Sequence, residues 1–255
     1  MFWKRVTRNP IARLVGFRTN RFLYSDPNLL FEDTFDGTEL DPRKWHRSRE
    51  EKRHGELCVW DDRMSFLDGK GHLVLRAEWD EKKKRIRSGA VQSSGLFHAG
   101  YGYYEASISF PTAPGTWGAF WLMCGNVAFG DGIEIDIIES IDNERAEASS
   151  NMHWGGYGKA HKAASSGALR GYDLYDGNFH TFALERTPEY YAFYIDGKET
   201  WHVLPNEVTP RPYDAFLWLS VEAADWAGAG TKESIDMLPN EMIVDYVRVY
   251  KTKPQ

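Results

Sequence analysis

Cysteine is scarce in this chain. Cys58 and Cys124 are the only two in 255 residues, and they lie in unrelated segments with no CxxC pair and no metal-ligand spacing. That excludes a disulfide-built scaffold and a zinc-type site. Both read as free thiols, with one disulfide as the alternative. Apolar runs are short, and none reaches the roughly 18 residues of a membrane-spanning helix. Basic runs are short as well. Lys82-Lys83-Lys84-Arg85 reads as a solvated hairpin tip, and the net charge is −6. A general nucleic-acid binder needs a broad basic surface, which this chain lacks. Long helical periodicity, internal repeats and low-complexity linkers are also missing. The basic N-terminus, "MFWKRVTRNPIARLVGFRTNRFLY", has neither the apolar stretch nor the small-residue cleavage site of a secretory leader. The expectation is retention in the cytoplasm, or export with a leader already removed. Phe2, Trp3, Ile11, Leu14, Val15 and Phe17 among Arg and Lys fit an amphipathic anchor, a loose tail or a strap packed on the domain.

Aromatic residues, by contrast, are plentiful. They make up 15% of the chain, with 10 Trp, more than a core of this size needs. Flat rings suit sugar-binding grooves. From about Ser25 onward the pattern is of short strands and turns. "GHLVLRAEW" alternates Leu73, Leu75 and Ala77 against Val74, Arg76 and Glu78. "YGYYEASISF" alternates Tyr104, Ala106, Ile108 and Phe110 against Tyr103, Glu105, Ser107 and Ser109. "FHTFALERT", "YYAFYIDGK", "FLWLSVEA" and "MIVDYVRVY" are further strands by composition. Asp196-Gly197 predicts a tight hairpin, because Gly and Asp tolerate the positive φ it needs. So many strands must hide their edges in a sandwich or barrel. The expected organisation is an N-terminal extension over 1–24, one antiparallel β-sandwich over 25–251 and a tail over 252–255.

One strand breaks the rule of alternation. In "GDGIEIDIIESID", Glu134 and Asp136 share a face, since side chains alternate with period two. Glu139 lies an odd number of residues from both and should face the other way. A bulge adds one residue and resets the alternation. Placed at Ile137-Ile138, it turns all three acids to one face. The two Glu then stand about 13 Å apart along the backbone at ~3.3 Å per residue. Side chains leaning together bring the carboxyls to about 5 Å, the separation of retaining glycosidases. One carboxylate would attack the anomeric carbon while the other trades a proton with the leaving oxygen and then with water. Three acids this close repel, so at least one is expected to stay protonated. "GTWGAFWLMCG" upstream offers Trp117 and Trp121, and "NMHWGGYG" downstream offers His153 and Trp154. A solubilising acidic face or a Ca²⁺ cluster is the competing reading of the acids alone.

Several motifs, in order along nearly the whole domain, resemble glycoside hydrolase family 16, the laminarinase, lichenase and agarase group. They are "FEDTFDGTELDPRKWH", "GYGYYEASISFPTAPGTWGAFWLM", "EIDIIE", "DGNFHTFALERTPEYYAFYIDGK" and "MIVDYVRVY". The resemblance implies a concanavalin-like β-jelly-roll sandwich of two curved antiparallel sheets and a retaining endo-hydrolase. It implies Glu134 as nucleophile, Glu139 as acid/base and Asp136 as helper. Trp117 and Trp121 would be sugar platforms, His153 an assisting residue and Glu56 a loop contact to substrate, with Trp154 beside them. Asp245 matches an acid that holds a structural Ca²⁺ in some members, and no cofactor is required for the reaction. The implied substrate is β-1,3- or mixed β-1,3/1,4-glucan. The alternatives are a β-galactan hydrolase, then a transglycosylase, then a glucan-binding lectin. The expected partner is a polysaccharide or oligosaccharide met by a monomeric chain, with no nucleic acid and no membrane span. Gly118 departs from the Pro common at that point in laminarinase-like members, as does "SIDNERAEASS" after the acids.

Overall fold

The computed structural model describes residues 22, 24–49, 56–126, 131–142, 147–204 and 214–255. Its strands are β1 (Leu29–Asp33), β2 (His46–Arg47), β3 (Cys58–Trp60), β4 (Ser65–Leu67), β5 (Leu73–Asp80), β6 (Arg85–Ser88), β7 (Ala90–Gln92), β8 (Gly102–Ser109), β9 (Thr116–Asn126), β10 (Asp131–Asp142), β11 (Glu147–Trp154), β12 (Lys162–Ser165), β13 (His180–Arg186), β14 (Tyr191–Ile195), β15 (Lys198–Val203), β16 (Ala215–Ala223) and β17 (Asn240–Tyr250). Among the described residues a short α-helix, α1 (Lys232–Asp236), starts at Thr231, whose side chain accepts from Ser234 N.

Two sheets form from these strands. One runs β15-β14-β13-β8-β17-β5-β6-β3, with β1 joined to β17 and β4 to β5. The other runs β12-β11-β10-β9-β16-β7-β2. Pairing is antiparallel throughout except for β3 with β6, which is parallel. The alternating apolar residues meet between the sheets. Tyr104, Ala106, Ile108 and Phe110 from β8 and its end pack there with Phe120, Leu122, Ile133 and Ile135 from β9 and β10. Each fully buried side chain of this size contributes about 1.5–3 kcal/mol. The antiparallel sandwich is the one that the strand pattern predicts, and the jelly roll is the one that the resemblance implies.

The turns follow their residues. Asp196 and Gly197 join β14 to β15 with φ of 48° and 74°, both in the left-handed region. Lys82, Lys83 and Lys84 lie exposed between β5 and β6, where Asp80 Oδ1 accepts from Lys82 N and Lys83 N. Cys58 and Cys124 are both buried and free. Most of the basic N-terminal segment, residues 1–21 and 23, lies outside the described residues. Phe22 meets Phe31 edge-on at 5.6 Å, and Tyr24 Oη accepts from Glu32 N at 2.8 Å. The end of the segment is thus held against the domain. No described helix is long and apolar enough to cross a membrane.

Candidate active site

β10 carries the acids. Ile133 and Ile135 point into the core, so Glu134 and Asp136 point out of the sandwich. The pairing with β9 then shifts between Asp136 and Ile138. Asp136 pairs with Trp121, Ile138 with Phe120 and Glu139 with Ala119, which leaves Ile137 as the extra residue. On the other side Asp136 pairs with Asn151 and Glu139 with Ser149. The bulge therefore sits where the acid spacing predicts, and Glu139 returns to the outer face. Two things hold it. Ile137 and Ile138 are both buried in the inter-sheet core. Ser150 Oγ donates to Ile137 O at 2.7 Å, so the interrupted ladder does not leave that carbonyl bare.

The three acids line one pocket of about 130 Å³ with Trp117, Ala119, Trp121 and Glu222. Register explains the set. Trp117 pairs with Glu222, Ala119 with Ser220 and Trp121 with Trp218, so these β9 and β16 residues share the outer face. Asp136 is only 4% exposed. Burial, then the negative charges of Glu134 and Glu222, pushes its carboxyl well above the usual carboxylate range. Burial, followed by the charge on Asp136, pushes Glu139 up to about 8. Asn151 Nδ2 donates to Glu139 Oε2 at 2.8 Å and works in the opposite direction. Near neutral pH Glu139 holds its proton, and Asp136 is shifted in the same direction, as the crowding of acids predicts. Glu139 can therefore give a proton, while Glu134 at the pocket mouth presents a carboxyl to whatever enters.

Position 153 on β11 pairs with Glu134 and shares its face. His153 Nε2 lies 3.3 Å from Asp136 Oδ2. The ligand atoms of Glu134, Asp136 and His153 lie within 4.8 Å of one another, which makes them the one such three-ligand group among the described residues. Asp245, the expected Ca²⁺ ligand, is half-buried on β17 in the other sheet, at the shift between Val244 and Tyr246. It does not group with two further acid, His or Cys ligand atoms among the described residues.

The model of the family described as glycosyl hydrolases family 16 matches residues 55–248. The chain belongs to that family. It is 26% identical over 248 residues to a "Beta-glucanase" of Rhodothermus marinus, covering 88% of this chain and 85% of that one. It is 27% identical over 272 residues to a "Keratan-sulfate endo-1,4-beta-galactosidase" of Sphingobacterium multivorum, covering 96% of this chain and 62% of that one. The catalytic domain of an endo-1,3-beta-glucanase (laminarinase) from Thermotoga petrophila superposes with a TM-score of 0.75 at 25% identity, over 89% of this chain and 98% of that domain. Other curated relatives are longer, and this chain spans 38% to 60% of three of them.

Within this family 16 chain, Glu134, Asp136, Glu139, Trp117, Trp121 and His153 come together on one face. Trp154 does not. It follows His153 on the same strand, so alternation turns its ring toward the inter-sheet core, against which it packs partly buried. Glu56 is exposed, and its neighbour Leu57 lies against Gly230 near the Trp226 turn. Trp117 and Trp121 are less open than sugar platforms would be. Trp117 is 4% exposed and packs on Trp226 with ring centroids 5.2 Å apart. Trp121 stacks on Trp218 at 4.8 Å and 8°, and Trp218 packs on Trp60 at 5.1 Å. The broad exposed ring here is Trp226, at 64%.

Sequence reasoning missed Glu222, Trp226, Asn151, Tyr157 and His161. Glu222 had one available signal. It is the only charged residue in "AFLWLSVEA", on the same parity as Ser220 and Trp218. Without sheet order, nothing joins that strand to the acids.

Proposed function

We propose that this chain is a retaining endo-β-glycosidase that cleaves internal linkages of a polysaccharide by double displacement. Glu134 attacks the anomeric carbon as Glu139 passes its proton to the leaving oxygen, and the glycosidic bond breaks. Water then attacks the same carbon, Glu139 takes its proton, and the bond to Glu134 breaks. Asp136, neutral and buried between them, restrains the pair. His153 holds Asp136 from the adjacent strand. The observation that carries this reading is the bulge at Ile137. It places Glu139 beside Asp136 on the face of Glu134, in a pocket walled by Trp rings.

The substrate favoured is β-1,3-glucan or mixed β-1,3/1,4-glucan, supported by the glucanase relatives and the laminarinase fold match. A β-galactan is the second reading. It is favoured by the galactosidase relative, whose match extends over 96% of this chain. Glu134→Ser tests the mechanism. Hydrolysis is expected to fall at least about 10³-fold, while oligosaccharide binding by calorimetry persists. Full activity in that variant would sink the nucleophile assignment.

A further inference from the structure

Two side chains from one short stretch reach the outer-face acids, and a third backs them. His153 on β11 reaches Asp136, and the chain then turns through Gly155, Gly156, Tyr157, Gly158, Lys159 and Ala160 to His161 before β12. From within that turn, Tyr157 Oη donates a hydrogen bond to Glu134 Oε2. From its end, His161 Nε2 lies 3.0 Å from His153 Nδ1, and the two imidazoles stack at 5.2 Å and 13°. The Tyr157 ring packs beside His161 at 6.4 Å.

The turn is built to hold this arrangement. Gly155 has φ of +77°, and a Cβ there would stand 2.3 Å from Ala160 O. The two ends of the turn therefore approach to a distance that only glycine permits. His161 N donates to Gly158 O at 3.1 Å. Tyr157 is 53% exposed, so burial does not account for its place. A closed turn presents its hydroxyl to a carboxylate and limits the freedom lost when it donates.

We infer that Tyr157 is a positioning residue for Glu134 whose main effect falls on the second half of the reaction. This rests on Glu134 being the nucleophile. A donor favours the charged form of the carboxylate it touches. In the first step Glu134 spends its charge on the bond to the anomeric carbon, so the donor gives no help there. In the second step water attacks that carbon and gives its proton to Glu139. The bond to Glu134 breaks, and the electron pair returns to the carboxylate. The Tyr157 hydrogen bond strengthens as that charge returns, and so speeds departure.

Tyr157→Phe removes the donor and keeps the ring. The probe is the 2,4-dinitrophenyl β-glycoside of the disaccharide that the enzyme releases from polysaccharide. Its leaving group is good, so breakdown of the glycosyl-enzyme limits turnover. In Tyr157→Phe, kcat is expected to fall about tenfold or more, KM to fall with it, and kcat/KM to stay level or rise. Intact-protein mass spectrometry under turnover should show a larger fraction carrying the glycosyl adduct. Equal losses in kcat and kcat/KM with no build-up of adduct would overturn the inference and leave Glu134 in its role. An adduct mapped to a residue other than Glu134 in the unsubstituted enzyme would instead overturn the reading beneath it.

Discussion

Glu139 is acidic by type and basic enough by placement to act as a proton donor at neutral pH. Its burial comes first, then the charge on Asp136, with Glu222 and Glu134 adding to the same effect. In the proposed role of general acid it must be protonated in the free enzyme. The sign is therefore fixed: kcat/KM should hold below about 8 and fall as pH rises through it. Glu222 supplies part of the upward push from β16, two strands away in the same sheet. Glu222→Gln keeps the shape and removes the charge, so the alkaline limb should move to lower pH. A limb that stays in place, or moves up, would show that Glu222 does not act on Glu139 through its charge. Trp154 is instructive at the same scale. One step along a strand separates a residue that touches the acids from one that packs against the core.

At the scale of the element, β10 is a strand with a bulge at Ile137, and that bulge makes the site. It was legible because acids at odd spacing amid Ile are costly to bury on an apolar face, which leaves a bulge as the economical arrangement. Ser150 closes the freed carbonyl and Ser140 works on the other flank. Gly118 N donates to Ser140 Oγ at 2.8 Å. A proline at 118 would lose that donor, which accounts for the departure from the laminarinase-like pattern. A side chain there is also resisted. A Cβ on Gly118 would come within 2.6 Å of Met242 Sδ and 2.8 Å of a Phe110 ring carbon. Deleting Ile138 brings the two Glu to an even spacing, so strict alternation keeps Glu139 on the outer face with no bulge. Turnover should survive in a variant whose circular dichroism still shows a β fold. Complete loss of turnover with the fold intact would show that the site needs the bulge itself and not only a shared face.

Across the whole molecule, the strands and the sandwich could be read from period-two alternation, because each strand hides one face. Order within the sheets could not. Antiparallel strands far apart in sequence, such as β9 with β16, become neighbours only when the sheet closes. That is why Glu222 and the stacked Trp218 and Trp60 were out of reach, and why Trp117 and Trp121 looked more open than they are. Trp226, beside Trp117, is broadly exposed. The substrate proposal is tested by release of oligosaccharides from laminarin, lichenan, barley glucan, agarose and carrageenan. Cleavage of the glucans alone is expected, and cleavage of the galactans alone would reverse the substrate assignment. The central claim concerns stereochemistry. Proton NMR of the reducing end first formed from a β-linked substrate tests it most directly. Double displacement through Glu134 predicts the β-anomer, appearing before mutarotation. The α-anomer formed first would contradict it.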